Sequence, residues 1–217
     1  MKIAKYITGA LLIPLAIGFS KAFYAGFLNL DYINVRLPLF LWGIVLYMLM
    51  HILFFKPTYF YTLGHEAIHV LATWLCGGHI TSFSVSRWGG SVSTSKTNFF
   101  IELSPYFVPI YTIVLILIAP LIKSKLVNIH ILSCYIFSLG FTLGMHLIMT
   151  AEALKLKQTD IMKSGYPFSL MIIYVANLLI VFFILSLFTK DLSFKAYFLK
   201  SLDYSKNIYF SIWNKLF

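Results

Sequence analysis

Residues 63–70, Leu-Gly-His-Glu-Ala-Ile-His-Val, put two histidines four positions apart, with a glutamate between them, inside an otherwise apolar run. On a helix His65 and His69 lie little more than one turn apart, so both imidazoles leave the same face. Two neutral imidazoles at that spacing can hold one divalent metal, zinc being the usual choice. Glu66 is then placed to take a proton from water on that metal. The run over residues 59–76 is otherwise aromatic and aliphatic, which sets this chemistry at membrane depth. An ionisable group is costly there, and its presence is by default functional.

Composition supports that setting. The 217 residues are 60% hydrophobic, 18% aromatic and only 11% charged, and the mean hydropathy is +0.86. Several apolar runs approach the roughly 20 residues that cross a bilayer as a helix. The expected fold is mainly α: a polytopic membrane bundle of about six transmembrane helices, with a small β-hairpin after the HExxH helix. The formal charge of +10, from 17 basic and 7 acidic residues, would point to nucleic acid in a soluble protein. Here the basic residues sit between apolar runs and in the C-terminal tail, where they meet anionic headgroups. The expected partners are therefore the lipid bilayer and a membrane-embedded protein or peptide, with no nucleic acid. Cys76 and Cys134 both fall in apolar segments without metal-type spacing and read as packing residues.

Taken in order, Lys2 and Lys5 precede an apolar stretch over 7–19 that resumes after Lys21. No small-x-small cleavage site follows it, so it reads as a first, uncleaved membrane helix distorted near Pro14. Residues 31–36 make a polar break and 37–55 a second span. Lys56-Pro57-Thr58 makes a turn in which Pro57 suits a helix start. The HExxH helix is expected to stop at Gly77-Gly78. Residues 80–96 turn rich in Ser and Thr, with alternation on both sides of Gly89-Gly90, which predicts a β-hairpin turning at the glycines. Further spans are expected at 105–122, 126–154 and 166–188, with a polar segment at 155–163. The tail, 189–217, interleaves aromatic residues with lysines as an interfacial helix does. Six spans place both termini on one side with ten of the basic residues and leave seven on the other, a slight bias toward cytoplasmic termini. The whole chain reads as one membrane domain: accessory helices at 1–58, a catalytic core at 59–165, a final span at 166–188 and the basic tail at 189–217.

Catalytic zinc usually has three protein ligands and water, so His65 and His69 leave one to find. Glu102, His146, Glu152 and Asp160 are the candidates. His51 and His130 lie in apolar runs away from any partner and read as polar residues at helix contacts or ends. His79 follows the Gly-Gly break. Glu152 has a plainer role in pairing with Lys155. Two other classes share the motif's residue types. A di-iron membrane oxidase needs several paired histidine boxes, whereas the other four histidines here stand singly. A non-catalytic or metal-transporting membrane protein could line a polar cavity with the same His/Glu cluster.

The stretch from Gly64 to His69 on a membrane helix, the Gly-Gly stop, the Ser/Thr-rich hairpin and the helix entered by Ser104-Pro105 together resemble the site-2-type intramembrane metalloproteases. The resemblance covers residues 59–165, about half the chain. It implies a zinc endopeptidase that cleaves membrane-embedded substrates, with Glu66 as general base. It also implies a membrane aspartate downstream of the hairpin as third ligand, and Asp160 has that place. The family's Asn-Pro…Asp-Gly setting is absent: Asp160 is followed by Ile161 and Met162, with Gly165 further on. His146 is the rival. On one straight helix it would stand about 21 Å from Asp160, so the two exclude each other as ligands of one ion unless the helix breaks. The bland reading of Asp160 is a solvated acid pairing with Lys157 or Lys163. Pro105, Pro109 and Asn98, near the hairpin, are placed to orient a substrate or open a gate, though turn and helix-start chemistry accounts for each more simply.

Overall fold

Proline and glycine set the breaks between helices. The computed structural model describes residues 2–28, 30, 36–156, 158–189 and 191–216. Most of the expected polar break at 31–36, and Lys157, lie outside them. Contacts gather the chain into two units, Asn34–Gln158 and a second made of Met1–Ile33 with Thr159–Phe217. The second span falls in the same unit as the HExxH helix, and the first in the same unit as the C-terminal helices.

The Asn34–Gln158 unit contains α3 (Arg36–Leu53), α4 (Thr58–Leu75), β1 (Ile80–Ser86), β2 (Gly89–Thr94), α5 (Phe99–Leu103), a 3-10 turn (Ser104–Tyr106), α6 (Ile110–Ile118) and α7 (Ile129–Lys155). The helices α3 and α7 run in the same direction, with Phe40 beside Gly140, Ile44 beside Gly144 and His51 beside Glu152. A Cβ at Gly140 would overlap the Phe40 carbonyl, and one at Gly144 would lie 3.1 Å from the Ile44 Cα. Small residues four apart let two apolar helices meet backbone to backbone, gaining dispersion where the hydrophobic effect offers little. Asn128 caps α7 by accepting from the His130 N–H at 2.9 Å.

The β1–β2 pair is antiparallel, with Phe83 opposite Val92 and Ser86 opposite Gly89. Its turn is Arg87-Trp88, two residues before the expected Gly89-Gly90, which instead open β2. Gly90 is needed elsewhere: a Cβ there would lie 2.6 Å from the Glu66 Cγ.

In place of the span expected over 105–122 stands a bent pair, Phe99–Tyr106 and Ile110–Ile118, meeting at 76°. Pro109 has no N–H to continue the first helix and disfavours helical backbone at Val108, so the chain must break there. Four helices are long and apolar enough to cross a membrane (Lys5–Leu28, Arg36–Leu53, Ile129–Lys155 and Tyr166–Ser186), or five if the bent pair is one span. Of the six expected, α4 falls outside this set: it has 18 residues, but its histidines, glutamate and tyrosines dilute its apolarity.

The other unit holds α1 (Lys2–Leu11), α2 (Ile13–Leu28), α8 (Thr159–Ser164), α9 (Tyr166–Ser186) and α10 (Phe194–Leu216). The break between α1 and α2 falls at Leu12, two residues before Pro14, whose ring nitrogen cannot donate to the preceding turn. The α2 and α9 helices run in parallel, joined by a 2.8 Å hydrogen bond between the Ser20 and Tyr174 hydroxyls and an edge contact of Phe23 with Phe182. The α10 helix runs antiparallel to α2. Its Tyr209 hydroxyl donates to the Leu11 carbonyl, and Tyr197 stacks on Phe182 at 3.9 Å. The tail's faces are thus divided: Tyr197, Ser201 and Ser205 are buried, while Leu199, Phe210 and Trp213 remain exposed.

Candidate metal centre

The α4 helix begins directly after Pro57 and ends in a glycine cap. Gly77 takes φ +69°, a left-handed conformation that favours glycine, and donates to the Trp74 carbonyl at 2.9 Å. Gly78 donates to the Thr73 carbonyl at 2.8 Å, completing a Schellman motif. Between these ends the 3.6-residue period brings His65 and His69 onto one face, their ring centroids 4.9 Å apart. His65 and Glu66 are both buried.

His69 is oriented by its other nitrogen. The Nδ1–H donates to the Ile101 carbonyl at 2.8 Å, which leaves Nε2 as the lone-pair atom for a metal. Ile101 sits in α5, a five-residue helix opened by Asn98, whose Oδ1 accepts from the Ile101 N–H at 2.9 Å. Asn98 Nδ2 also donates to the Cys76 Sγ at 3.4 Å, tying α5 to the end of α4. The His65 ring meets Tyr106 edge-on at 5.0 Å, and the Tyr106 hydroxyl donates to the Gln158 Oε1 at 2.7 Å.

Two imidazole nitrogens and a carboxylate oxygen form the donor set of catalytic zinc sites. His65 and His69 offer the two nitrogens from one helix face, and Glu66 follows His65 on the same helix. Asp160 stands in the first turn of α8, two residues beyond Gln158. Lys163 Nζ lies 3.9 Å from its Oδ1, at the limit of an ion pair.

The remaining candidates are elsewhere. His146 is buried on α7 and shares with His65 the lining of a narrow cavity that includes Thr142, Tyr111 and Pro109. Glu102 accepts from the Thr97 hydroxyl at 3.0 Å. Glu152 pairs with Lys56 at 2.5 Å and with His51 Nε2 at 3.1 Å, rather than with Lys155. His51, expected to be without a partner, also meets the Tyr47 hydroxyl through Nδ1 at 3.1 Å. His79 and His130 are exposed. Cys76 and Cys134 are free thiols.

Sequence reasoning missed the Ile101 carbonyl, Tyr106 and the packing of Gly90 on Glu66. The carbonyl carries no sequence signal. Gly90 carried one, a glycine inside a strand, which marks close backbone approach as well as turns.

No protein-family model, curated protein or solved structure matches the chain.

Proposed function

We propose that the protein is an intramembrane zinc endopeptidase of the site-2 type, hydrolysing peptide bonds in membrane-embedded substrates. The observation that carries this reading is the pair His65 and His69, their ring centroids 4.9 Å apart on one face of a helix whose buried Glu66 supplies a base. His65, His69 and Asp160 would hold the ion. Zinc bound there would supply a Lewis acid that polarises the scissile carbonyl and acidifies water. Glu66 takes the proton from the attacking water and passes it to the leaving amide nitrogen, as a general base and then a general acid. Its burial among apolar neighbours keeps bulk water from competing for that proton. The Ile101 carbonyl holds the His69 ring in the tautomer that presents Nε2.

A substrate helix satisfies its amides internally and must unwind before attack. The β1–β2 hairpin supports this step: Gly90 of β2 lies against Glu66, so a peptide strand added to the hairpin would arrive beside the base. Four to five candidate spans accord with a multi-pass membrane location. A di-iron oxidase is disfavoured, because it needs several paired histidine boxes and the other four histidines stand singly in the sequence.

The test is metal stoichiometry and cleavage in detergent-purified protein. Wild type is expected to carry one zinc, lost in His65→Ala and Asp160→Asn and kept in His146→Ala. Glu66→Gln should keep zinc and lose cleavage of a fluorescent transmembrane peptide. No zinc in wild type sinks the enzyme reading. Zinc lost in His146→Ala but kept in Asp160→Asn overturns the ligand set. Unchanged metal flux into vesicles alongside absent cleavage in Glu66→Gln separates a peptidase from a transporter.

A further inference from the structure

At the start of α1 and α9 lies a cavity of about 390 Å³ lined by Lys5, Tyr6, Met162, Lys163, Gly165, Tyr166 and Pro167. Two of the residues that line it are lysines. The Lys5 Nζ donates to the Lys163 carbonyl at 2.7 Å, which fixes the side chain and leaves two further N–H donors. The Lys5 stem reaches that carbonyl by crossing the backbone of Gly165. A Cβ at Gly165 would lie 3.1 Å from the Lys5 Cδ, and φ +91° already favours glycine there. The described side chains of the three helices that meet here, α1, α8 and α9, bring Lys5 and Lys163 against one acid, Asp160. The charge of the cavity is therefore positive.

Its level along the helices indicates what fills it. Lys5 and Tyr166 are the first residues of two candidate membrane spans, Lys5–Leu28 and Tyr166–Ser186. The spans leave this end side by side, with Gly9 against Pro167 and Phe168. Two lysines and two tyrosines at the shared end of two apolar helices form the composition of a headgroup layer, where tyrosine sits at the interface and lysine meets phosphate.

We propose that this cavity binds the phosphodiester of an anionic phospholipid, with Lys5 and Lys163 on the phosphate oxygens and the acyl chains along α1 and α9. The proposal does not rest on the metal reading, although Lys163 Nζ also lies 3.9 Å from Asp160 Oδ1. A free phosphate offers the same oxygens but has no chain to place along the helices.

Calorimetric titration tests this, using monomeric dihexanoyl phosphatidylglycerol, dihexanoyl phosphatidylcholine and inorganic phosphate against the whole chain in neutral detergent. Saturable phosphatidylglycerol binding is expected, with phosphatidylcholine and phosphate much weaker. Lys5→Gln with Lys163→Gln should weaken it by roughly tenfold to thirtyfold. Lys200→Gln with Lys206→Gln, on α10, should leave it unchanged. Lys163 is 64% exposed in its side chain, so Lys163→Gln alone folds and should show part of the loss. The same titration of zinc-free His65→Ala should match wild type, which keeps this result separate from the metal reading. Equal binding of inorganic phosphate would overturn the lipid assignment. Undiminished phosphatidylglycerol binding in the double lysine variant would overturn the site.

Discussion

Replacing Asn98 with alanine tests whether the proposed metal ligands are oriented through the fold or only by their own helix. Asn98 caps α5, and α5 carries the carbonyl that holds His69. Losing an N-cap side chain costs about 1 kcal/mol, within a range of about 0.5–2. The helix it opens has five residues, so one cap bond is a large share of what keeps the Ile101 carbonyl aimed at Nδ1. Deleting an outer partner of a ligand histidine typically lowers metal affinity by about 10–100-fold. Here the carbonyl is loosened rather than removed. If the cap energy is transmitted in full, about 1 kcal/mol corresponds to about fivefold weaker zinc binding.

The assay is zinc competition against a chromophoric chelator in detergent, with the thermal midpoint measured on the same samples. Asn98→Asp serves as the control, because it keeps an oxygen to accept the Ile101 N–H but loses the Nδ2 contact with Cys76. Near wild-type zinc affinity is expected for Asn98→Asp and about fivefold weaker binding for Asn98→Ala. If the alanine variant melts lower yet binds zinc as wild type does, the α5 cap supports the fold without orienting His69, and the reasoning fails.

Three further outcomes follow from packing and from the buried network on α3. Gly90→Ala places a Cβ 2.7 Å from Glu66 Oε1; turnover of a transmembrane peptide should fall by at least about tenfold, part of what a general base contributes, with zinc stoichiometry unchanged. Gly140→Leu drives a side chain into the Phe40 backbone and should cost about 1–3 kcal/mol or more of stability, read as a lower thermal midpoint in detergent; an unchanged midpoint would show that α3 and α7 do not pack there. His51→Ala should lower the midpoint more than Lys56→Ala does, because the His51 side chain is 6% exposed and that of Lys56 49%. Removing His51 strips a buried partner from Tyr47, worth about 1–3 kcal/mol, whereas a half-exposed ion pair contributes about 0–1 kcal/mol.

The features legible in the sequence are those that local physics sets. His65 and His69 share a face because the helix repeat demands it, α4 stops at Gly77-Gly78 because left-handed backbone favours glycine, and α1 breaks just before Pro14. Each depends on residues within about one turn. Asp160 is different. It stands 91 positions after His69 in the chain, and no spacing rule separates it from His146, Glu102 or Glu152; only the family resemblance pointed to it. The pairing of His51 with Glu152, 101 positions apart, left no local trace either.

Gly90 shows why a correct local rule can still misplace an element. Gly-Gly between two alternating runs favours a turn, and Arg87-Trp88 does not. The hairpin nonetheless turns at Arg87-Trp88, with Trp88 fully exposed, and spends its glycine where β2 crosses Glu66. With any Cβ at that position, strand and carboxylate would compete for one space. The requirement comes from the α4–hairpin contact, which exists only after both elements have formed, and it outweighs the turn preference of the isolated segment. The glycine that looked like punctuation is a packing residue of the proposed catalytic base. Gly90→Ala therefore discriminates more sharply than a change at the turn itself. A variant at Arg87 or Trp88 should alter hairpin stability alone, whereas Gly90→Ala should move Glu66 and leave the two histidines where they are.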